Sequence, residues 1–294
     1  MKFSKSHLTI FITILFGVVL LALQKPITDS LVKKSNKIDA RFSKVYNIKN
    51  THYLPEILNE ISGITWLSNN VFACIQDEDG YIYIYDVQQK TILEKIKFGT
   101  SGDYEALAIN DADAYAMRSD GIIYEIKNYR SENREVSQFK TSFSEDNNIE
   151  SLTYDKDNNR LLLVPKDEDL MSKSLKCIYQ IPIDKMEMDS LPLMKIDLKA
   201  DLLKPYRGKK THKTFNPSDI AIHPRTKDIY VLEGKNPKLL ILNSKGEMIK
   251  VYPLDDRKFA QPEGITFSDD GRLFISNEFQ KKSSSANILE VELK

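Results

Sequence analysis

Cysteine and histidine are scarce in this 294-residue chain, and neither is spaced for chemistry. The two cysteines are Cys74 and Cys177, and the four histidines are His7, His52, His212 and His223. No CxxC or HxxxH occurs, which excludes the usual zinc spacings. Each cysteine falls in its own strand-like run, so two buried free thiols are expected, with one disulfide as the other arrangement open to them. A charge excess is also missing: Lys plus Arg and Asp plus Glu number 42 each. That balance excludes a broad electrostatic grip on nucleic acid. The local basic stretch Arg207-Gly208-Lys209-Lys210-Thr211-His212-Lys213 reads as a solvated loop. There is no GxSxG and no serine with an evident histidine partner, so no nucleophile–base constellation is legible. Asp77-Glu78-Asp79-Gly80 is too short for an EF-hand loop and reads as a turn. What remains, 41% hydrophobic and 29% charged residues, is the composition of an ordinary folded domain.

Only Leu8–Leu23 is a long apolar run, and it follows Lys2 and Lys5. Its length lies between a signal-peptide core of about 7–15 residues and a membrane span of about 17–25. No good small-residue cleavage site and no cysteine follow it. An uncleaved anchor is therefore expected, with Lys2 and Lys5 on the cytoplasmic side and the rest exported; a cleaved signal peptide is the alternative. The chain thus divides into residues 1–24 (anchor or signal peptide), a polar linker over 25–43, and a folded domain over 44–294.

That domain repeats one phrase five times: Ser62-Gly63-Ile64-Thr65-Trp66, Glu105-Ala106-Leu107-Ala108-Ile109, Glu150-Ser151-Leu152-Thr153-Tyr154, Ser218-Asp219-Ile220-Ala221-Ile222 and Glu263-Gly264-Ile265-Thr266-Phe267. The intervals are 43, 45, 68 and 45 residues. Strand-like repeats of about 40–50 residues indicate propeller blades, one four-stranded sheet each. Repeats one to four each supply four strand-like runs, and the fifth supplies three. A strand around Val45–Lys49 is expected to complete the last sheet and remove an exposed edge. The fold is read as an all-β, five-bladed β-propeller, with six blades as the alternative. The surplus in the long interval is assigned mainly to an insertion, Lys199–Asn216.

The phrase begins each innermost strand, so its first residues ring one mouth of the central channel. Glu105, Glu150 and Glu263 stand there, with Ser62 and Ser218 in the equivalent places. Glu60 and Asp219 lie next to them. The ends of the second strands bring Asp77, Glu78, Asn277 and Glu278, with Arg118, Lys166 and Glu233 from the other blades. Converging carboxylates repel unless something positive is present. A calcium ion, which takes about 6–8 oxygen ligands, is one solution, held by a subset of Glu60, Asp77, Glu105, Glu150, Glu263, Asn277 and Glu278. Neutralisation by Arg118 and Lys166 is the other.

Several of these stretches resemble the SdiA-regulated (YjiK-like) family: residues 54–66, Asp103-Tyr104-Glu105-Ala106-Leu107-Ala108, Asn216-Pro217-Ser218-Asp219-Ile220-Ala221, Gln261-Pro262-Glu263-Gly264-Ile265-Thr266, and the closing Phe274-Ile275-Ser276-Asn277-Glu278. The resemblance covers about residues 45–294 and extends to NHL-repeat and strictosidine-synthase-like propellers. It implies a five-bladed propeller with a calcium site and no established reaction. Where the family usually has Glu-Gly-Ile in the second repeat, this chain has Glu105-Ala106-Leu107. Three functions stay open: a non-enzymatic, monomeric, envelope-anchored propeller that binds calcium for structure and a small-molecule ligand or protein partner, a calcium-dependent hydrolase of ester, lactone or phosphoester bonds, and a docking surface for another protein, with the insertion as its contact.

Overall fold

A computed structural model describes residues 32–35, 37–39, 41–280 and 285–294. The chain forms two compact units, one comprising residues up to Tyr46 together with Lys294, the other Asn47–Leu293. In the first, the described residues form helical turns over 32–35, 37–39 and 41–42. The apolar run Leu8–Leu23 lies outside the described residues. Among the described residues, no helix is long and apolar enough to cross a membrane.

The second unit is a five-bladed propeller. Strand β1 (Tyr46–Tyr53) comes first. Blade 1 holds β2 (Ile61–Ser68), β3 (Val71–Gln76), β4 (Asp79–Asp86) and β5 (Thr91–Ser101). Blade 2 holds β6 (Tyr104–Asn110), β7 (Asp113–Arg118), β8 (Ile122–Lys127) and β9 (Glu135–Lys140). Blade 3 holds β10 (Thr153–Asp155), β11 (Arg160–Leu163), β12 (Leu175–Pro182) and β13 (Met194–Asp197). Blade 4 holds β14 (Pro217–Ile222), β15 (Ile229–Glu233), β16 (Lys238–Leu242) and β17 (Met248–Pro253). Blade 5 holds β18 (Pro262–Phe267), β19 (Leu273–Asn277) and β20 (Asn287–Leu293), and β1 lies outside β20 as its fourth strand. The expected closure is thus observed, and it is reinforced by side chains: Asn47 Nδ2 donates to Glu292 Oε2 at 3.0 Å, and Lys49 pairs with Glu292 at 2.9 Å.

Among the described residues there are five four-stranded sheets and no sixth blade. The long third interval contains β10–β13 and the insertion, which is ordered rather than loose. It forms short 3-10 turns at Asp201–Tyr206 and Thr211–Lys213, and it buries Leu203 and Phe215 completely.

The packing explains the sequence pattern. Each inner strand touches its neighbours on both sides, so β2, β6, β10, β14 and β18 close a ring. Alternate residues of one strand enter opposite inter-blade cores. In β3, Ala73 and Ile75 pack toward blade 2, while Phe72 and Cys74 pack toward blade 5. In β6, Leu107 joins the first of these cores and Ala106 and Ala108 the core with blade 3. Both faces of a blade are therefore apolar, which gives the near-continuous hydrophobic runs. The small second residue of the phrase marks where inner strands nearly touch. A Cβ on Gly63 would meet the Leu107 nitrogen at 3.1 Å and the Ala106 Cα at 3.2 Å, and one on Gly264 would meet the Ile64 nitrogen at 3.0 Å. Ala106 itself is accommodated, fully buried. Cys74 and Cys177 are buried free thiols in different blades, and burial raises the pKa of both.

Candidate functional site

Strand pairing aims the first phrase residue at the channel mouth. In blades 1, 2, 4 and 5 the register between the two inner strands slips by one residue at this position, between Ile61 and Gly63, Tyr104 and Ala106, Pro217 and Asp219, and Pro262 and Gly264. Blade 3 shows the same offset between its Ile149–Pro165 bridge and the Thr153–Leu162 pair. Ser62, Glu105, Ser218 and Glu263 are thus the extra residues of β-bulges, a device that redirects a side chain out of the normal alternation.

The five positions then divide by chemistry. Ser62 Oγ donates to the Tyr104 carbonyl oxygen at 2.7 Å and Ser218 Oγ to that of Pro262 at 2.9 Å. These two hydroxyls stitch neighbouring blades together. Glu105, Glu150 and Glu263 have no such partner and repel one another. Asp219 belongs to the stitching: Oδ1 accepts from the Ile220 nitrogen and Oδ2 from the Ile265 nitrogen, both at 2.8 Å.

Without a bound cation, the carboxyls hold protons far above their usual range. Burial, followed by repulsion from Glu150, Asp103 and Glu263, raises Glu105 to about 9. Burial raises Glu150 to about 8 despite its ion pair with Lys166, and it raises Glu263 as well. Burial and the charges of Glu60, Glu78 and Asp103 bring Asp77 to about 6. Glu278 rises to about 8 through burial and a hydrogen bond with Glu60, an arrangement that needs a proton between the two carboxyls. Burial alone would lower Lys166, yet Glu150, Glu263 and Glu105 hold it above its ordinary value.

The sequence-based candidates therefore gather in one electrostatic neighbourhood in two groups. Glu105, Glu150 and Glu263 surround Lys166, and Asp77, Glu60 and Glu278 lie on the blade 1 side, with Glu263 interacting with both. Asn277, fully buried, donates Nδ2 to Asn287 Oδ1 at 2.9 Å. Salt-bridge neutralisation is realised at Glu150 only, because Arg118 turns to Asp120 at 2.9 Å. Glu233 is drawn away from the mouth into a buried pair with Lys238.

Three buried oxygens bear on whether a metal fits. Asp77 Oδ1, Glu263 Oε2 and Asn277 Oδ1 have no hydrogen-bond partner. Such atoms are costly unless something positive meets them. Two carboxylates and an amide oxygen suit a hard cation such as calcium, whose shell is completed by water and tolerates loose geometry. Among the described residues no preset cluster of three His, Cys, Asp or Glu side chains is present, so Asn277 and water would have to contribute.

Sequence reasoning missed three features. Gln261, just ahead of the fifth phrase, bonds Glu263 and also donates Nε2 to Glu278 Oε2, tying together two of the acids. Its place in the Gln261-Pro262-Glu263 stretch was the available signal. Beside the mouth lies a polar cleft of about 530 Å³ whose lining includes Lys166, Lys213, Lys235 and Glu263. At the far end of the channel a second cavity of about 210 Å³ is lined by the ends of all five inner strands, Trp66, Tyr154 and Phe267 among them.

The family model for SdiA-regulated proteins matches residues 203–291, from the insertion through blade 4 and most of blade 5. Over those residues the chain is similar to the SdiA-regulated family, and the whole folded unit is a five-bladed β-propeller. No curated protein matches this chain in sequence. Among solved structures it is similar to glutaminyl cyclase from Myxococcus xanthus, at 12% identity and a TM-score of 0.58, covering 85% of this chain and 97% of that one. Streptogramin B lyase (11% identity, TM-score 0.48, 85% and 98% covered) and virginiamycin B lyase from Staphylococcus aureus (14%, 0.45, 79% and 68%) are further neighbours. At these identities the likeness is one of fold alone.

Proposed function

We propose that this propeller is a calcium-binding module of the cell envelope that binds a small ligand at its acidic channel mouth. The observation that carries the metal is the set of three unpartnered buried oxygens, Asp77 Oδ1, Glu263 Oε2 and Asn277 Oδ1. They come from blade 1 and blade 5, which are neighbours in the ring. Glu60, Glu278 and Glu105 are further carboxylates in electrostatic contact with this set, and Lys166 pairs with Glu150 beside them. A bound divalent cation supplies the positive charge the site lacks and would displace the protons held by the raised carboxyls. Envelope location is supported by Leu8–Leu23 and its basic flank.

Calcium that binds only the folded chain stabilises it by about 2.7 kcal/mol at a hundredfold excess over Kd. Melting of the purified protein should shift upward with calcium and downward with chelator. Glu263→Gln should shrink that response, and Glu247→Gln, in the exposed turn of blade 4, should leave it intact. Superimposable melting curves in calcium and chelator would refute the metal. Chelator-sensitive turnover of aryl esters, lactones or phosphoesters, lost in Glu263→Gln, would instead make the protein a calcium-dependent hydrolase.

A further inference from the structure

We propose that the cleft beside the mouth takes a small anionic polyhydroxyl ligand, a sugar acid or a sugar phosphate. This deepens the ligand-binding reading above and does not depend on its calcium half. The cleft measures about 530 Å³, and its lining contains no aromatic side chain. That composition removes the stacking surface on which a nucleobase or other flat ring would rest. The only apolar side chain in the lining is Ala260, so the ligand must be polar.

Besides the carboxylates Asp167 and Glu263 and the amide of Gln261, the lining offers two kinds of group to recognise it. The first is cationic. Lys166 is fixed by its pair with Glu150. Lys213 and Lys235 are exposed, and among the described residues neither has a carboxylate within ion-pair distance. Two free ammonium groups at one cleft suit an oxyanion. Lys213 comes from the basic stretch that reads as solvated in sequence, and the insertion's buried Leu203 and Phe215 fix where that stretch sits.

The second kind is amide oxygen. Three asparagines line the cleft, and each already spends its amide nitrogen on the protein. Asn148 Nδ2 donates to Glu150 Oε1 at 2.9 Å, Asn216 Nδ2 to the Lys166 carbonyl oxygen at 2.8 Å, and Asn236 Nδ2 to Glu233 Oε1 at 3.3 Å. Their Oδ1 atoms are left as acceptors. Three such acceptors at one cleft suit a ligand rich in hydroxyl donors, and the lysines of the same lining suit a negative group on that molecule.

Titration calorimetry on the calcium-supplemented full chain tests this with D-glucuronate, glucose 6-phosphate and glucose as probes. Binding of either acid with glucose at least about tenfold weaker, a difference of about 1.4 kcal/mol, is the expected result. The stronger acid tells whether a carboxylate or a phosphate is the natural group. Lys213→Gln combined with Lys235→Gln should weaken that acid about tenfold without moving the melting temperature, since both side chains are exposed. No binding of either acid at about 10 mM, equal binding of glucose, or undiminished binding by the folded double variant would overturn the proposal. The calcium melting shift is recorded on the same sample. A normal shift without acid binding sinks this inference alone, and acid binding without a shift sinks only the calcium site.

Discussion

Replacing Lys238 with methionine should be among the most damaging single changes in the molecule. Lys238 and Glu233 face each other across β15 and β16, and their side chains are 1% and 0% exposed. The ammonium also donates to the Asn236 carbonyl oxygen at 3.0 Å and lies over the rings of Tyr206 and Phe215, at 5.1 and 5.7 Å. Both rings belong to the insertion, which therefore roofs the pair. Methionine fills similar space but leaves the Glu233 carboxylate buried without its counter-charge. Breaking a buried pair from one side costs about 3–5 kcal/mol. For a domain of this size that corresponds to a fall in Tm of about 6–20 °C. Lys238→Met with Glu233→Gln should recover most of the loss, because a neutral pair needs no counter-charge and Gln still accepts from Asn236. Burial holds the Glu233 pKa above its ordinary value, and losing Lys238 raises it further. The orphaned carboxylate therefore destabilises only where the unfolded chain is ionised, and the deficit should shrink as pH falls toward about 4.5. Differential scanning fluorimetry at pH 5 and pH 8 reads all of this. A single-variant Tm within about 2 °C of the parent at pH 8, less than 1 kcal/mol, would refute the reasoning.

The raised carboxyls at the mouth predict an inverse pH response. In chelator the folded state holds more protons than the unfolded chain from about pH 4.5 up to the raised values of Glu150 and Glu278, near 8, so stability should fall as pH rises through that window. A chelated protein that melts higher at pH 8 than at pH 5 would contradict this. Glu105→Gln should flatten the pH profile, seen as a smaller Tm difference between the two buffers. For closure, removal of residues up to 43 should leave a stable propeller. Removal up to 52 should expose β20 and promote aggregation, and equal melting of the two truncations would count against β1 as a structural strand. For location, intact mass of the native N-terminus should show Leu8–Leu23 retained, whereas a chain starting near Lys25 would mean a released protein.

The ring was legible because its repeated unit is written five times, and because burial on both faces leaves dense apolar runs that a solvated sheet would not. Closure by the first strand followed from counting strands in the fifth repeat. Glu105, Glu150 and Glu263 were legible as a set because pseudo-symmetry maps one repeat position to one place in space. That Ser62 and Ser218 spend their hydroxyls on the Tyr104 and Pro262 carbonyls of the next blade was not, since a backbone acceptor 42 or 44 residues away is announced by no residue type. The role of Glu233 was also hidden. Its partner is five residues away on the next strand, but the aromatic roof comes from Tyr206 and Phe215 in a stretch that lacks strand periodicity. Lys213 escaped for a related reason: a basic run in an insertion looks the same whether it faces bulk water or a cleft.

The strap formed by β1 has a consequence for time rather than for shape. Every blade but the last is made of strands consecutive in the chain, so its hairpins can form early and locally. The bond from Asn47 to Glu292 spans 245 residues, and contacts of that separation form late in folding. Interactions made after the transition state leave the folding rate alone and slow unfolding instead. The latch between β1 and β20 thus sets how long a finished ring stays shut, while the speed of building it is decided by the hairpins of blades 1 to 4.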